Sequence, residues 1–167
     1  HLLGISRLEN IDAFKKYGVT SFDSTSPLKK AFMDDKDNYH TPTHPYTAIR
    51  VPQVDGNPQL KKLILSGKVD FATARKLEIA CMTGIREYDA GSLRLDSLVS
   101  RLQEYETLWH GKKDDSEKYR TTLVDKPWKS CSCQICKKLG IHVVLFRGAD
   151  RNRRRGFHNL HSLRQKI

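Results

Sequence analysis

The chain has 167 residues, 38% of them hydrophobic, and 30 basic against 19 acidic side chains give a net charge of +11. That length supports one ordinary core, or a core with a small appendage. No apolar run approaches the ~20 residues that span a bilayer, and no signal-peptide core is present, so this reading excludes membrane and secreted classes and expects a cytoplasmic protein.

In chain order, "HLLGI" reads as a short buried strand. "RLENIDAFKKYG" places Leu8, Ile11 and Phe14 at helical spacing, with Gly18 as the stop. "VTSFDSTSP" returns to strand character, carries Asp23 at its end and runs into a turn-rich stretch at Pro27. Strand, helix, strand with short links is the signature of a parallel sheet, and in α/β barrels the C-terminal strand edge carries the chemistry. "HTPTHPYTAIRVPQVDGNP" reads as an extended loop or edge strand. Asn57 and Pro58 predict the cap and first turn of a helix ending near Gly67. Asp70 caps a second helix with Phe71, Ala74, Leu77 and Cys81 on one face. Leu95, Leu98, Leu102, Tyr105 and Trp109 mark a third, stopped by Gly111. "GKKDDSEKYR" reads as a charged linker, "IHVVLF" as a strand and "RGADRNRRRG" as a basic loop. His1 rather than Met stands first, so the chain is expected to be a piece of a longer one.

Three of the four cysteines fall in Cys131-Ser-Cys133-Gln-Ile-Cys136, and the fourth, Cys81, lies on an apolar helical face as a core residue. Thiols so close in sequence rarely meet disulfide geometry with one another, and an odd cluster cannot pair fully. A C-x-C-x-x-C turn can instead aim three thiolates at one tetrahedral zinc ion (Zn2+), with a fourth ligand from downstream: His142, His158 or His161. Unligated buried cysteines are the plainer alternative. The charge is also uneven. From Lys112 to Ile167 there are 15 basic and 5 acidic residues, and in the first 111 there are 15 and 14. A neutral body with a positive end points to a polyanion, because each neutralised phosphate releases counterions; a solvated charge run is the alternative.

"FDS" at Phe22-Asp23-Ser24 after the "HLLGI…GV" unit, together with C-x-C-x-x-C followed by "HNL", resembles the tRNA-guanine transglycosylase superfamily, specifically its C-terminal part. The resemblance implies an α/β fold: the last strands of a (β/α)8 TIM-type barrel in 1–45, a mostly helical insertion in 46–111 and a small basic zinc-binding subdomain in 112–167. It places the catalytic nucleophile on Asp23, the base pocket beside the backbone of Leu3 and Gly4, and the zinc ligands on Cys131, Cys133, Cys136 and His158. The tRNA enzymes follow the aspartate with Pro-Thr-Arg, where this chain has Pro27-Leu28-Lys29, and they join nucleophile to zinc motif by a few tens of residues rather than 108. These departures, and the arginine-rich run before "HNL", are more similar to the DpdA branch, which exchanges guanine in DNA for a 7-deazaguanine such as a preQ0-like base.

The implied enzyme is thus a pentosyltransferase. A carboxylate traps the oxocarbenium-like C1′ as an ester, and the incoming base attacks the same carbon with overall retention. The acid–base carboxylate and the guanine-reading residues are not found here, so the chain alone is expected to be inactive. Without the resemblance, Asp23 reads as a turn-capping residue. A target base in duplex DNA must be flipped out. Arg151, Arg153, Arg154 and Arg155 are the candidate phosphate contacts, with Arg147 and Lys129 beside them, and Trp128 is a stacking candidate or part of the zinc segment's small core. Partners are DNA, or tRNA in the alternative reading, the 7-deazaguanine base and accessory proteins. A non-catalytic nucleic-acid-binding zinc module is the other alternative.

Overall fold

The two apolar runs that flank the first helix leave backbone groups in need of partners, and they find each other. Leu2 and Phe22 form a parallel bridge: Leu2 N–H donates to the Ser21 carbonyl (3.0 Å) and Asp23 N–H to the Leu2 carbonyl (3.2 Å). The computed structural model describes residues 1–4, 10–33, 36–111 and 113–166. Between the bridged runs lies helix α1 (Ile11–Lys16), and Gly18, with φ of +75°, supplies the left-handed turn back. The expected strand–helix–strand order is therefore present at the length of a single bridge. Leu8, expected on the buried helix face, lies outside the described residues.

The turn-rich reading at Pro27 is corrected. Helix α2 (Ser26–Met33) starts there, with Pro27 in its first turn and Pro27 and Ala31 buried. Proline is well tolerated at that place because its missing N–H has no helical partner to lose. The proline-rich segment that follows forms β1 (Tyr39–His40) antiparallel to β2 (Pro45–Tyr46), then β3 (Ile49–Arg50). β3 pairs in parallel with β4 (Leu145–Phe146), in the register Ile49 to Leu145 and Arg50 to Phe146. Among the described residues the strands are these short pieces, and they do not make a barrel wall.

The helical block follows the sequence closely. α3 (Pro58–Leu65), α4 (Phe71–Asp89) and α5 (Leu95–His110) come in order. Asn57 Oδ1 accepts from Leu60 N–H at 3.0 Å, and Asp70 Oδ2 from Thr73 N–H at 2.7 Å, satisfying donors that a helix start leaves open. Of the expected faces, Ala74 and Cys81 of α4 and Leu98, Leu102, Tyr105 and Trp109 of α5 are buried, whereas Phe71, at the first position of α4, is exposed and Leu77 is half-buried. The charged linker is corrected in part: α6 (Ser116–Asp125) begins inside it. Asp115 is buried just before that helix, with Lys113 at 2.9 Å and Lys118 at 2.7 Å. α7 (Pro127–Ser130) and α8 (Gln134–Leu139) follow.

Two further expectations give way. "IHVVLF" is not one strand but a 3-10 turn over Gly140–Val144 leading into β4. Ile141, Val143, Val144 and Leu145 are all fully buried, and an apolar run buried on every side has no period that separates strand from helix. "RGADRNRRRG" is not a loop but the first turns of α9 (Gly148–Arg164). Its buried residues are Asn152, Arg155, Gly156, His158, Asn159 and Ser162, so the inward face carries no hydrophobic period to read. One core cluster runs from Tyr39 to Leu145 and takes side chains from both the helical block and the cysteine segment. No helix among the described residues is long and apolar enough to cross a membrane.

Candidate functional site

Cys131 follows α7, Cys133 caps α8 and Cys136 lies in its first turn. Cys133 Sγ accepts from Cys136 N–H at 3.3 Å, which fixes the sulfur at the helix start. α9 brings His158 across. The three sulfurs and His158 Nδ1 all lie within 4.8 Å of one another, a group that can hold a metal ion. Nδ1 is 3.6, 3.5 and 3.3 Å from Cys131, Cys133 and Cys136 Sγ. The other ring nitrogen, Nε2, is 2.7 Å from the His40 carbonyl and donates to it. That bond selects the tautomer whose Nδ1 lone pair faces the sulfurs. Of the three histidines open as fourth ligand, His158 is the one that joins the group. His161 Nε2 lies against Ser132 Oγ at 3.5 Å, and His142 is outside the group.

The surroundings fix this geometry. The Tyr39 ring stacks on His158 with centroids 4.0 Å apart and planes at 14°. Its hydroxyl lies 3.3 Å from Cys136 Sγ. Burial holds the Tyr39 phenol far above its ordinary pKa, so it keeps its proton and can donate to a thiolate at Cys136. Burial lowers His158 to about 4, against the opposing pull of the His40 carbonyl, so the ring is neutral at pH 7. Burial also pushes the Cys136 and Cys131 thiols upward. Two buried sulfurs and the half-buried Cys131, gathered around an unprotonated nitrogen, form a donor set suited to a cation.

Beside His158, Asn159 ties α9 to the segment after Asp23. It is fully buried; Oδ1 accepts from His40 N–H (2.9 Å), and Nδ2 donates to the carbonyls of Pro27 and Asn38 (3.1 Å each). Gly156 lets α2 approach: a Cβ there would meet Leu28 Cδ2 at 3.0 Å. The sequence alone does not mark Tyr39, His40 or Asn159 as site residues. Asn159 stood in view inside "HNL", whereas nothing in "NYH" marks its role.

Asp23 sits next to both pocket residues named from the resemblance. Its Oδ1 accepts from Gly4 N–H at 3.1 Å, Leu3 is exposed beside it, and Gly4 adopts φ of +64°. His1 Nε2 is 3.6 Å from the same oxygen, and the Asp23 side chain is 56% exposed. Its strand neighbours Phe22 and Ser24 line a cavity of about 500 Å³ with Val19, Leu160 and Leu163. Alternation along the strand turns Asp23 the other way.

The arginines divide. Arg155 is fully buried: Nη1 donates to the Leu145 carbonyl (2.8 Å), and Nη2 to the Ala31 carbonyl (2.7 Å) and Asn152 Oδ1 (2.8 Å). No phosphate reaches it in this arrangement, which corrects its expected contact role. Arg147 is nearly as enclosed, donating to the Val51 carbonyl at 3.0 Å and pairing with the buried Glu78. Arg153 and Arg154 are exposed and Arg151 half-exposed, all on α9. Arg153 stands 3.4 Å from Asp150, and Lys129 3.5 Å from Asp89. Trp128 is buried, with Nε1 donating to Asp89 Oδ1 at 3.3 Å; it is a core residue. So is Cys81, whose thiol donates to the Arg101 carbonyl at 3.2 Å.

No family model matches the chain. It is similar to a DNA-guanine transglycosylase of Salmonella montevideo, 49% identical over 172 residues, an alignment that takes in all of this chain and 41% of that protein. The chain thus spans about two fifths of the length of the relative it matches.

Proposed function

We propose that this chain is the metal-binding, nucleophile-bearing part of a base-exchange transglycosylase that replaces guanine in DNA with a 7-deazaguanine. The observation that carries this reading is the 49% identity to a protein named DNA-guanine transglycosylase, sustained along the whole chain. Asp23 is the proposed nucleophile. Its carboxylate attacks C1′ as guanine leaves, forming a glycosyl ester, and the incoming base displaces the carboxylate from the same carbon. The Gly4 N–H bond to Oδ1 holds the carboxylate and leaves its second oxygen to react. Leu3 and Gly4 flank the base, and Arg151, Arg153 and Arg154 meet backbone phosphates. The relative's name favours DNA over tRNA as the polymer. With Asp23 more than half exposed, further elements must close a pocket over it. In this reading those elements are the other strands of a (β/α)8 barrel, which also supply the acid–base carboxylate. The chain by itself is then inactive.

Zinc is the proposed metal. A tetrahedral ion with ordinary Zn–S and Zn–N bonds separates its sulfur and nitrogen ligands by roughly 3.5 Å, and the three Nδ1–Sγ distances of 3.3 to 3.6 Å fit that edge. Four protein ligands leave no open position, so the ion's contribution is structural: it joins α8 to α9 and adds its binding energy to folding.

A chimera tests the reading. The matched part of the Salmonella montevideo protein is replaced by this chain, and incorporation of a labelled 7-deazaguanine into duplex DNA and into tRNA is followed. The chimera should label DNA. Its Asp23→Asn form should still bind DNA but form neither product nor a denaturant-resistant adduct. Exchange by the Asn form at near-parental rate would remove Asp23 from the mechanism, and preferential labelling of tRNA would change the substrate.

A further inference from the structure

We propose that a second site, remote in sequence from Asp23 and from the cysteines, binds a phosphate group: a pocket of about 400 Å³ between β3, the end of α5 and the start of α9, with Arg50 as its central donor. Gln53, Asn57, Trp109, Phe146 and Arg147 line it with Arg50.

Arg147 shares the pocket wall, but its charge is matched by Glu78. Arg75, behind it, stands between Glu78 (3.0 Å) and Asp55 (3.6 Å). Those two cations and two carboxylates balance. Arg50 has no carboxylate within ion-pair distance among the described residues, so the pocket retains one positive charge.

Arg50 is also held in position. Its guanidinium carbon lies 4.8 Å from the Phe146 ring centre and 5.9 Å from that of Trp109. A guanidinium drawn to ring faces by cation–π attraction still presents N–H groups to an acceptor, the fork that suits a phosphate oxygen pair. Strand pairing sets this up, because the register places Arg50 directly opposite Phe146. Asn57 Oδ1 is engaged by Leu60 N–H, which leaves its amide NH2 group as a second, neutral donor, and Gln53 adds another. A fixed cation, two amides and no uncommitted carboxylate select an oxyanion. Arg147 continues into α9, where Arg151 and Arg154 extend the cationic surface beyond the pocket. A polynucleotide laid along α9 would therefore have a phosphate to place here. That source of the phosphate rests on the proposed function, whereas the pocket's chemistry does not.

The test uses the metal-loaded 167-residue chain, with melting temperature and metal content checked for each variant. Binding of a labelled duplex is followed by fluorescence anisotropy between 50 and 200 mM salt. Separately, the melting temperature is compared in inorganic phosphate and in chloride of equal ionic strength. Arg50→Gln should flatten the log–log salt slope by about 0.9 and weaken binding about eightfold at 0.1 M salt, the share of one phosphate contact. It should also abolish the stabilisation by phosphate. Arg50→Lys keeps the charge and should keep the slope, but binds a few-fold more weakly without the stacked fork. Arg50→Gln protein with parental slope and affinity would overturn the pocket and leave the base-exchange reading standing. If the Gln variant does not fold, Arg50→Lys with undiminished affinity overturns it instead. Arg50-dependent stabilisation by inorganic phosphate without any duplex binding would support the pocket and remove the polynucleotide, and with it the proposed partner.

Discussion

Replacing Asn159 tests how the helix that carries His158 is fastened to the segment that carries Asp23. Asn159→Ala removes three hydrogen bonds at once and leaves His40 N–H and the carbonyls of Pro27 and Asn38 without the partners they have now. The residue is fully buried, so water does not readily replace them. At roughly 1–3 kcal/mol for each buried group left unsatisfied, and with some relaxation of the two carbonyls, the loss is about 3–5 kcal/mol. That is a large share of the roughly 5–15 kcal/mol that stabilises a typical domain. Asn159→Asp is the sharper probe. It keeps the volume and the acceptor for His40 N–H, but turns a carboxylate oxygen towards two carbonyl oxygens. At pH 7 it should be destabilised at least as much as the alanine variant, although it opens no cavity. Burial and the facing carbonyls raise the pKa of the new carboxyl in the folded state. Its favourable, protonated form is fully present below the unfolded value of about 3.9 and is lost as pH rises, so the deficit against the parent should shrink towards acid. Urea unfolding of zinc-saturated protein, followed by circular dichroism at several pH values, measures both. An Asp variant as stable as the parent at pH 7, or an alanine variant costing under about 1 kcal/mol, would refute the reasoning.

The proposed metal centre and the buried ion pair give three further expectations. His158→Ala should lose stoichiometric zinc by elemental analysis. Tyr39→Phe should retain zinc but bind it about tenfold more weakly in chelator competition, because it deletes the hydroxyl beside Cys136 Sγ; equal affinities would make that contact incidental. Glu78→Gln should destabilise the protein by about 3 kcal/mol at neutral pH, since it leaves the Arg147 guanidinium enclosed without its counter-charge. Burial pushes the Glu78 carboxyl up, but Arg147, the Val54 N–H and Arg75 outweigh it and hold it below its usual value. Its contribution is therefore present above the unfolded value of about 4.5 and lost as pH falls through the folded one. The parent–variant difference in thermal melts should close at acid pH, and a difference that stays constant would contradict the assignment.

What was legible in the sequence followed from two kinds of signal. Caps and stops are local, so Asn57, Asp70 and Gly111 marked their helices where the structure has them. The cysteine spacing constrains three ligand atoms within six residues, and the group they form with His158 was readable for that reason. α9 reads as a loop because its inward face is written in Asn152, Arg155, His158, Asn159 and Ser162, and polar residues on a buried face leave no apolar period. α2 is hidden because "STSP" reads as turn chemistry, although a proline suits the first turn of a helix equally well. Tyr39 and His40 were beyond reach: they touch the site through a ring face, a hydroxyl and a backbone carbonyl, and tertiary packing alone brings those to His158.

Arg155 shows how one basic run serves two ends. Its neighbours on α9 face outward, while its own guanidinium is buried and bonded only to uncharged acceptors. Its Nε has no partner among the described residues. Burial lowers its pKa to about 9, so it is still largely charged at pH 7, and a buried cation without a counter-charge is costly. The proposed metal centre offers one. Three thiolates around a divalent ion leave a net charge of −1, and His158, one of its ligands, lies one helical turn beyond Arg155. A loaded centre would then stabilise the guanidinium, which in turn holds the Ala31 carbonyl of α2 and the Leu145 carbonyl of β4. α2 begins three residues after Asp23. In that reading metal occupancy would be coupled, through one buried charge and the Asn159 amide, to where the strand-end aspartate is held.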